Sequence, residues 1–357
     1  MAHDVGVPSP PSYVPLEMAD AGDRMGFKKR FINVILRALM PIFNSKSLAG
    51  PETELFRKFV HPKFPDLRDL AQNCPLVMVN THELYDFPRP TLGKIINIGG
   101  LGMVQKSAPE IKDPYKSKLE KYDSAILFSL GTVANASLMS QQWKHEILNT
   151  FASFPSTLFI FRYIGDDLDS KISANVVLNK WLPQNDLLHH PKVKLFITQC
   201  GYNSLQEAIH AAKPIIAIPL FGDQKRNANL ARKHGFGLIL SKSEFSADKL
   251  STSIRLVLTD KNLTESVQKL SKKVINRPFS AEETLIKWTE FLAENKDLSQ
   301  MNPAGNELSF VEYHNLDVFW CLGFIFVAFA WILFKIIDFL TNAFCIKKQD
   351  QEKNKQE

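Results

Sequence analysis

The sequence predicts an α/β protein, a parallel sheet covered by helices on both faces, followed near the C-terminus by one membrane-spanning helix. Three observations carry this. From Asp123 onward, short apolar or β-branched runs recur: AILFSL (125–130), TLFIFRY (157–163), VVLNK (176–180), VKLFIT (193–198), PIIAIPL (214–220) and FGLIL (236–240). Most are separated by stretches with helical periodicity or helix signals, the alternation that βαβ units require. Finally, Val318 to Phe334, VFWCLGFIFVAFAWILF, is free of charge, and Ile336, Ile337, Phe339 and Leu340 extend it beyond a snorkelling Lys335. A bilayer core needs roughly 20 such residues.

Composition agrees. With 357 residues, 45% hydrophobic and 22% charged, the chain is long enough for two cores. Its 26 phenylalanines suit a protein that also meets a membrane. A net charge of +6, spread along the chain, points to no nucleic-acid surface. The cysteines Cys74, Cys200, Cys321 and Cys345 form no disulfide pattern. The opening MAHDVGVPSPPSYVPLEM has no basic segment followed by an apolar one, so no signal peptide is expected. Lys347 and Lys348, beyond the apolar run, place the tail on the cytoplasmic side by the positive-inside rule.

In chain order, residues 1–24 are rich in Pro, Gly and Asp and read as loop. FKKRFINVILRALMPIF (27–43) reads as a helix packed on the core with Lys28, Lys29 and Arg30 in water, the alternative being a helix lying on a membrane surface. PLVMVN (75–80) reads as a buried strand. IINIGGLGM then leads into a Pro- and Lys-rich linker, KSAPEIKDPYKSK.

In a parallel sheet of this kind ligands sit beyond the carboxyl ends of the strands. There, FITQCGYNSLQEAI (196–209) breaks a strand with Gly-Tyr-Asn-Ser and resumes as a helix near Asn203, its core stripe formed by Leu205, Ala208, Ile209 and Ala212. Gly201 permits the tight turn, and the helix N-terminus suits a phosphate. A plainer account makes Asn203 an N-cap and Ser204 with Glu207 a capping box. SLGT (129–132) ends a second strand with Gly131 and Thr132. GDQ (222–224) ends a third, Asp223 and Gln224 being candidates for sugar hydroxyls, with Asp223 as an N-cap the alternative. Trp181, on the WLPQ loop, either stacks on a base or belongs to the core.

These residues resemble a known family. WLPQNDLLHHPKVKLFITQCGYNSLQEAIHAAKPIIAIPLFGDQKRNANLARKHGFG (181–237) is similar to the signature of the UDP-glycosyltransferases, in particular the membrane-bound animal UDP-glucuronosyltransferases, with nematode members most alike. SLGT, PSYVP (11–15) and YHNLDVFW (313–320) look like the same family, so nearly the whole chain is covered. The resemblance implies a GT-B fold, two Rossmann-like domains of which the first is incomplete. Residues 1–95 would be the remainder of an acceptor-side domain, 96–122 a linker, 123–300 the UDP-sugar-binding domain, 316–340 the transmembrane helix and 341–357 a basic cytoplasmic tail. Carried over, Trp181 stacks on uracil, Gln184 lies beside the nucleoside and Glu207 takes the ribose hydroxyls. Gly201, Asn203, Ser204 and Thr132 meet the diphosphate, and Asp223 and Gln224 hold the sugar.

Two departures follow. The family usually has His where this chain has Gln199, beside the diphosphate; Gln can donate one hydrogen bond there but cannot become cationic. The family's catalytic His and its orienting Asp precede the PSYVP segment, so both are expected upstream of residue 1. His3, Asp4, His61, His82 and His145 are not assigned the role. The resemblance implies inverting transfer of a hexose or glucuronate from UDP-glucose or UDP-glucuronate to a small lipophilic acceptor, at a membrane, without metal or cofactor. It implies a single-pass protein of the endoplasmic reticulum, where sequons Asn135-Ala-Ser137 and Asn262-Leu-Thr264 would be usable. Lacking a signal peptide, the span could instead insert as a tail anchor and leave the folded part in the cytosol. The alternative function is a non-catalytic, membrane-anchored UDP-sugar-binding partner that pairs with full-length relatives, as a homo- or hetero-oligomer. A third reading is an incomplete gene product.

Overall fold

A computed structural model of the chain describes residues 4–44, 49–103 and 110–353, in two units, residues 1–301 and 302–357. In the first unit, helices α1 (Phe27–Asn44), α2 (Gly50–Phe59) and α3 (Leu67–Gln72) precede two short strands, β1 (Val77–Val79) and β2 (Ile95–Asn97), which pair in parallel. Helix α4 (Tyr115–Lys121) occupies the end of the segment read as linker. Strands β3 (Ser124–Ser129), β4 (Thr157–Arg162), β5 (Val176–Asn179), β6 (Val193–Thr198), β7 (Ile215–Ala217) and β8 (Gly237–Ile239) then form one sheet. Helices α5 (Gln141–Ala152), α6 (Gln184–His189), α7 (Tyr202–His210) and α8 (Gln224–Lys233) connect them. Helices α9 (Ala247–Thr259), α10 (Lys261–Ile275) and α11 (Ala281–Asn295) follow.

The sheet order is β5-β4-β3-β6-β7-β8, every pair parallel. From β3 the chain winds outward to β5, returns, and winds the other way from β6. Connections on the two sides cover opposite faces, so a crevice opens between the carboxyl ends of β3 and β6. Side-chain alternation divides the core accordingly. Ala125 and Leu127 pack with Leu205, Ala208, Ile209 and Val267 on one face. Ile126 and Phe128 pack with Phe151, Phe159, Phe161 and Ile254 on the other. The second face is an aromatic layer, with Phe128 and Phe161 centroids 4.7 Å apart and Phe151 and Phe159 4.2 Å. Burial on both sides explains why these strands read as apolar runs.

Helix α1 overturns the expectation of core packing. Its polar stripe faces the protein: the buried Asn33 amide donates to the carbonyls of Pro11 (2.7 Å) and Val14 (2.9 Å) and accepts from Leu16 N (3.0 Å). Arg37 donates to the Val14 carbonyl, Arg30 to that of Met25 and Lys29 to that of Asp20. Phe27, Phe31, Ile35, Leu39 and Phe43 therefore point outward, all exposed. A loop rich in Pro and Gly has carbonyls with no ladder partner, and satisfying them turned the helix over.

In the second unit, α12 (Phe310–Tyr313) starts with a capping box of Ser309 and Glu312 and is followed by α13 (Leu316–Lys353). Residues Leu316–Asn342 of α13, 27 in all with mean hydropathy 2.3, are long and apolar enough to cross a membrane, by length and composition. Of the tail read as cytoplasmic, residues 354–357 lie outside the described residues, as do His3 and part of the linker.

Candidate functional site: the carboxyl edge between β3 and β6

Beyond β3 the chain turns at Gly131, φ +77°, before the exposed Thr132. Beyond β6 it turns at Cys200, φ +66°, before Gly201. This left-handed conformation is costly for a residue with a Cβ. It is held by Cys200 N donating to Thr198 Oγ1 (3.1 Å) and Asn227 Nδ2 donating to the Cys200 carbonyl (3.1 Å). Gln199 bridges the two turns. Its Oε1 accepts from Thr198 Oγ1 (3.0 Å), which leaves Nε2 directed at the loops. A Cβ on Gly131 would stand 2.0 Å from Gln199 Nε2, and one on Gly201 3.1 Å away, so a side chain at Gly131 would displace this amide, and the positive φ there itself favours glycine.

Helix α7 starts at Tyr202, with Gly201 as its N-cap and no side-chain cap bond. The capping box of Ser204 and Glu207 therefore does not form, and Asn203 is not the cap. Instead both side chains turn to α6, where Gln184 Nε2 donates to Glu207 Oε2 (2.7 Å) and Ser204 Oγ (3.3 Å). Burial pushes the Glu207 carboxyl above the usual range, partly offset by the Gln184 bond. Uncapped N–H groups at the helix start remain donors aimed at the crevice.

Trp181 is not a core residue. It is 68% exposed, with its ring 5.7 Å from the Arg162 guanidinium, and its carbonyl accepts from the Tyr115 hydroxyl (3.2 Å). At the third loop, the buried Gln224 accepts at Oε1 from Leu220 N (2.7 Å) and Phe221 N (3.0 Å), which folds the loop. Asp223 does occupy the N-cap position of α8, but without a side-chain cap bond; its Oδ2 instead accepts from Asn227 Nδ2 (2.7 Å). Asn227 thus joins the Asp223 loop to the Cys200 turn. The structure brings Gln184, Ser204 and Glu207 into direct contact and places Gln199 between Gly131 and Gly201. Thr132, Trp181 and Asp223 lie on neighbouring loops of the same edge. Among the described residues no group of three or more His, Cys, Asp or Glu side chains could hold a metal ion.

Several residues were missed. Arg162 ends β4 next to β3, donates to the Gly131 carbonyl and lies beside Trp181. A lone arginine closing an apolar run one strand from SLGT was the available signal. Segment 80–87, far away in sequence, packs on α7 and α8: Tyr85 donates to Gln206 (2.6 Å), Tyr202 to Asp86 (3.1 Å), and Arg226 pairs with Asp86. Arg226, two residues beyond Gln224, is therefore engaged by Asp86.

Residues 1–353 match the family described as UDP-glucoronosyl and UDP-glucosyl transferase. The chain is 33% identical over 289 residues to a putative UDP-glucuronosyltransferase, ugt-47, of Caenorhabditis elegans, covering 79% of this chain and 53% of the relative. It is 32% identical over 338 residues to mouse UDP-glucuronosyltransferase 1A1, covering 92% and 60%. A UDP-glucuronosyltransferase of Pleuronectes platessa is 31% identical, covering 95% and 71%. The chain thus spans between half and three quarters of these relatives. Among solved structures, the glycotransferase of kitacinnamycin superposes with a TM-score of 0.55 at 18% identity, over 72% of this chain and 66% of that one. The spinosyn forosaminyltransferase gives 0.54 at 15%, over 72% and 67%. At such identities the likeness speaks for the fold, that of the GT-B glycosyltransferases.

Proposed function

The chain belongs to the UDP-glucuronosyl and UDP-glucosyl transferase family, and on that premise we propose that the β3/β6 edge holds the UDP moiety of a nucleotide sugar. The observation that carries the reading is the joined set Gln184, Ser204 and Glu207 at the crevice beside an exposed Trp181. In this reading the Trp181 ring stacks on uracil and Glu207, oriented by Gln184, accepts from the ribose hydroxyls. Thr132, Gly201, Asn203 and Ser204 meet the diphosphate with the free N–H groups of α7. Asp223 and Gln224 receive sugar hydroxyls.

The reaction is transfer of a hexose or glucuronate to a small lipophilic acceptor, with inversion, at the endoplasmic reticulum membrane that α13 spans. The acceptor oxygen attacks the anomeric carbon while the bond to the β-phosphate oxygen breaks, and that electron pair leaves with UDP. The acceptor proton passes to a general base, a role we assign to no residue of this chain. Catalysis by the residues present consists of stabilising charge on departing UDP. Gln199 contributes a neutral donor, and Arg162 supplies the nearby positive charge. No metal is needed for that step.

The test is UDP release by the whole chain in membranes, with UDP-glucose and UDP-glucuronate each offered beside a simple phenol. Binding of UDP and of one or both donors is expected; acceptor-dependent release would place a general base within these residues, and the ratio between donors would then identify the sugar. Folded protein that neither releases nor binds UDP overturns the reading.

A further inference from the structure

The amides around Asn203 form a chain with a direction. Tyr85, fully buried, is kept protonated by burial and the neighbouring Asp86 charge, so its hydroxyl is a fixed donor. It donates to Gln206 Oε1 (2.6 Å). Gln206, also fully buried, donates from Nε2 to Asn80 Oδ1 (2.9 Å). Asn80 Nδ2 donates to Asn203 Oδ1 (2.8 Å), to which Gln206 Nε2 adds a longer bond of 3.4 Å. Each carbonyl oxygen is taken by the preceding donor, so each NH2 group is passed forward. The last, Asn203 Nδ2, has no partner among the described residues and lies in the first turn of α7. Room for the arrangement comes from Gly99, where a Cβ would stand 2.8 Å from Gln206 Oε1 and 2.5 Å from the Thr81 carbonyl.

We propose that Tyr85, Gln206 and Asn80 are positioning residues that fix which end of the Asn203 amide meets the donor, so that the diphosphate is offered an NH2 group and never a carbonyl oxygen. The proposal rests on the donor-site reading above. An anion accepts from N–H and is repelled by C=O, so an unfixed amide would spend part of its time in the wrong orientation. The anchor lies on segment 77–100, outside the six-stranded sheet. Diphosphate affinity therefore depends on docking of that segment against α7, and by reciprocity a bound diphosphate tightens the docking.

The experiment compares dissociation constants for UDP and for uridine, which lacks the diphosphate, in wild type, Tyr85→Phe, Asn80→Ala and the double variant, using the full chain in detergent. Wild type should prefer UDP; if it does not, the donor-site reading itself fails. Given that preference, Tyr85→Phe should weaken UDP by about three- to tenfold and Asn80→Ala by about tenfold, the scale of one hydrogen bond to a charged group, with uridine within about twofold. The double variant should lose little more than Asn80→Ala, because apart from the long 3.4 Å bond from Gln206 the chain runs through Asn80. A role limited to packing would move UDP and uridine together. An unchanged UDP-to-uridine ratio in both single variants, or additive losses in the double, overturns the proposal. Asn80 is exposed, so its variant still decides the matter if Tyr85→Phe fails to fold.

Discussion

Gln199 stands where the resemblance leads one to expect histidine, and its surroundings say what that exchange does. The amide is held by Thr198 between two loops, with Nε2 against Gly131 and Gly201. A neutral donor there gives roughly half the interaction that a charged one would give a diphosphate. Replacing Gln199 by His should tighten UDP about tenfold at pH 6 relative to wild type, with the gain shrinking by pH 8 as the imidazole loses its proton. Titration of both proteins at the two pH values checks it, since UDP's own protonation cancels in the comparison; equal affinity at pH 6 would show that Nε2 does not face the diphosphate. Most members of this edge were legible because each sits in a motif at a strand end. Arg162 was not, because one charge closing an apolar run carries no spacing. Asn80 and Tyr85 were not, because contacts across more than 120 residues leave no local pattern.

At the scale of elements, strands buried on both faces announce themselves, and the runs at 125–130, 157–163 and 193–198 became β3, β4 and β6 with their ends nearly unchanged. Amphipathic helices reveal that two faces differ but not which one turns inward. Helix α1 shows the difference: its apolar face is outward and its polar face is pinned by Asn33. Asn33→Ala should therefore cost about 2–3 kcal/mol, leaving buried backbone groups unpaired. Phe31→Ser, on the exposed face, should change stability by less than about 0.5 kcal/mol. Denaturant midpoints of the two variants decide it, and the reverse order would mean that the helix packs by its apolar face.

Across the molecule, two buried histidines, His82 and His210, and the half-buried His234 line the seam between segment 80–100 and helices α7 and α8. Burial lowers the pKa of His82, to about 4, and also those of His210 and His234. Glu83 opposes the shift at His82, while Arg277 and His210 add to it. Each ring is favoured neutral in the fold, so the unfolded chain takes up protons first. The contribution is complete above the unfolded value near 6.5 and is lost as pH falls toward 4. Glu207, raised by burial, acts in the opposite sense over part of this range. Thermal midpoints without ligand should fall between pH 7.5 and pH 5, and less steeply in His82→Gln; a midpoint that rises toward pH 5 would contradict the assignment.

The claim on which the rest depends is that the edge between β3 and β6 is a uridine diphosphate site, and UDP titration of folded wild type, Trp181→Ala and Glu207→Ala tests it most directly. Stacking on a base is worth about 1–3 kcal/mol, so Trp181→Ala should weaken UDP about 5- to 150-fold, and Glu207→Ala, which removes a charge-assisted bond, about 10- to 100-fold. Unaltered affinity in both variants, or no binding by the folded wild type, would place the nucleotide elsewhere.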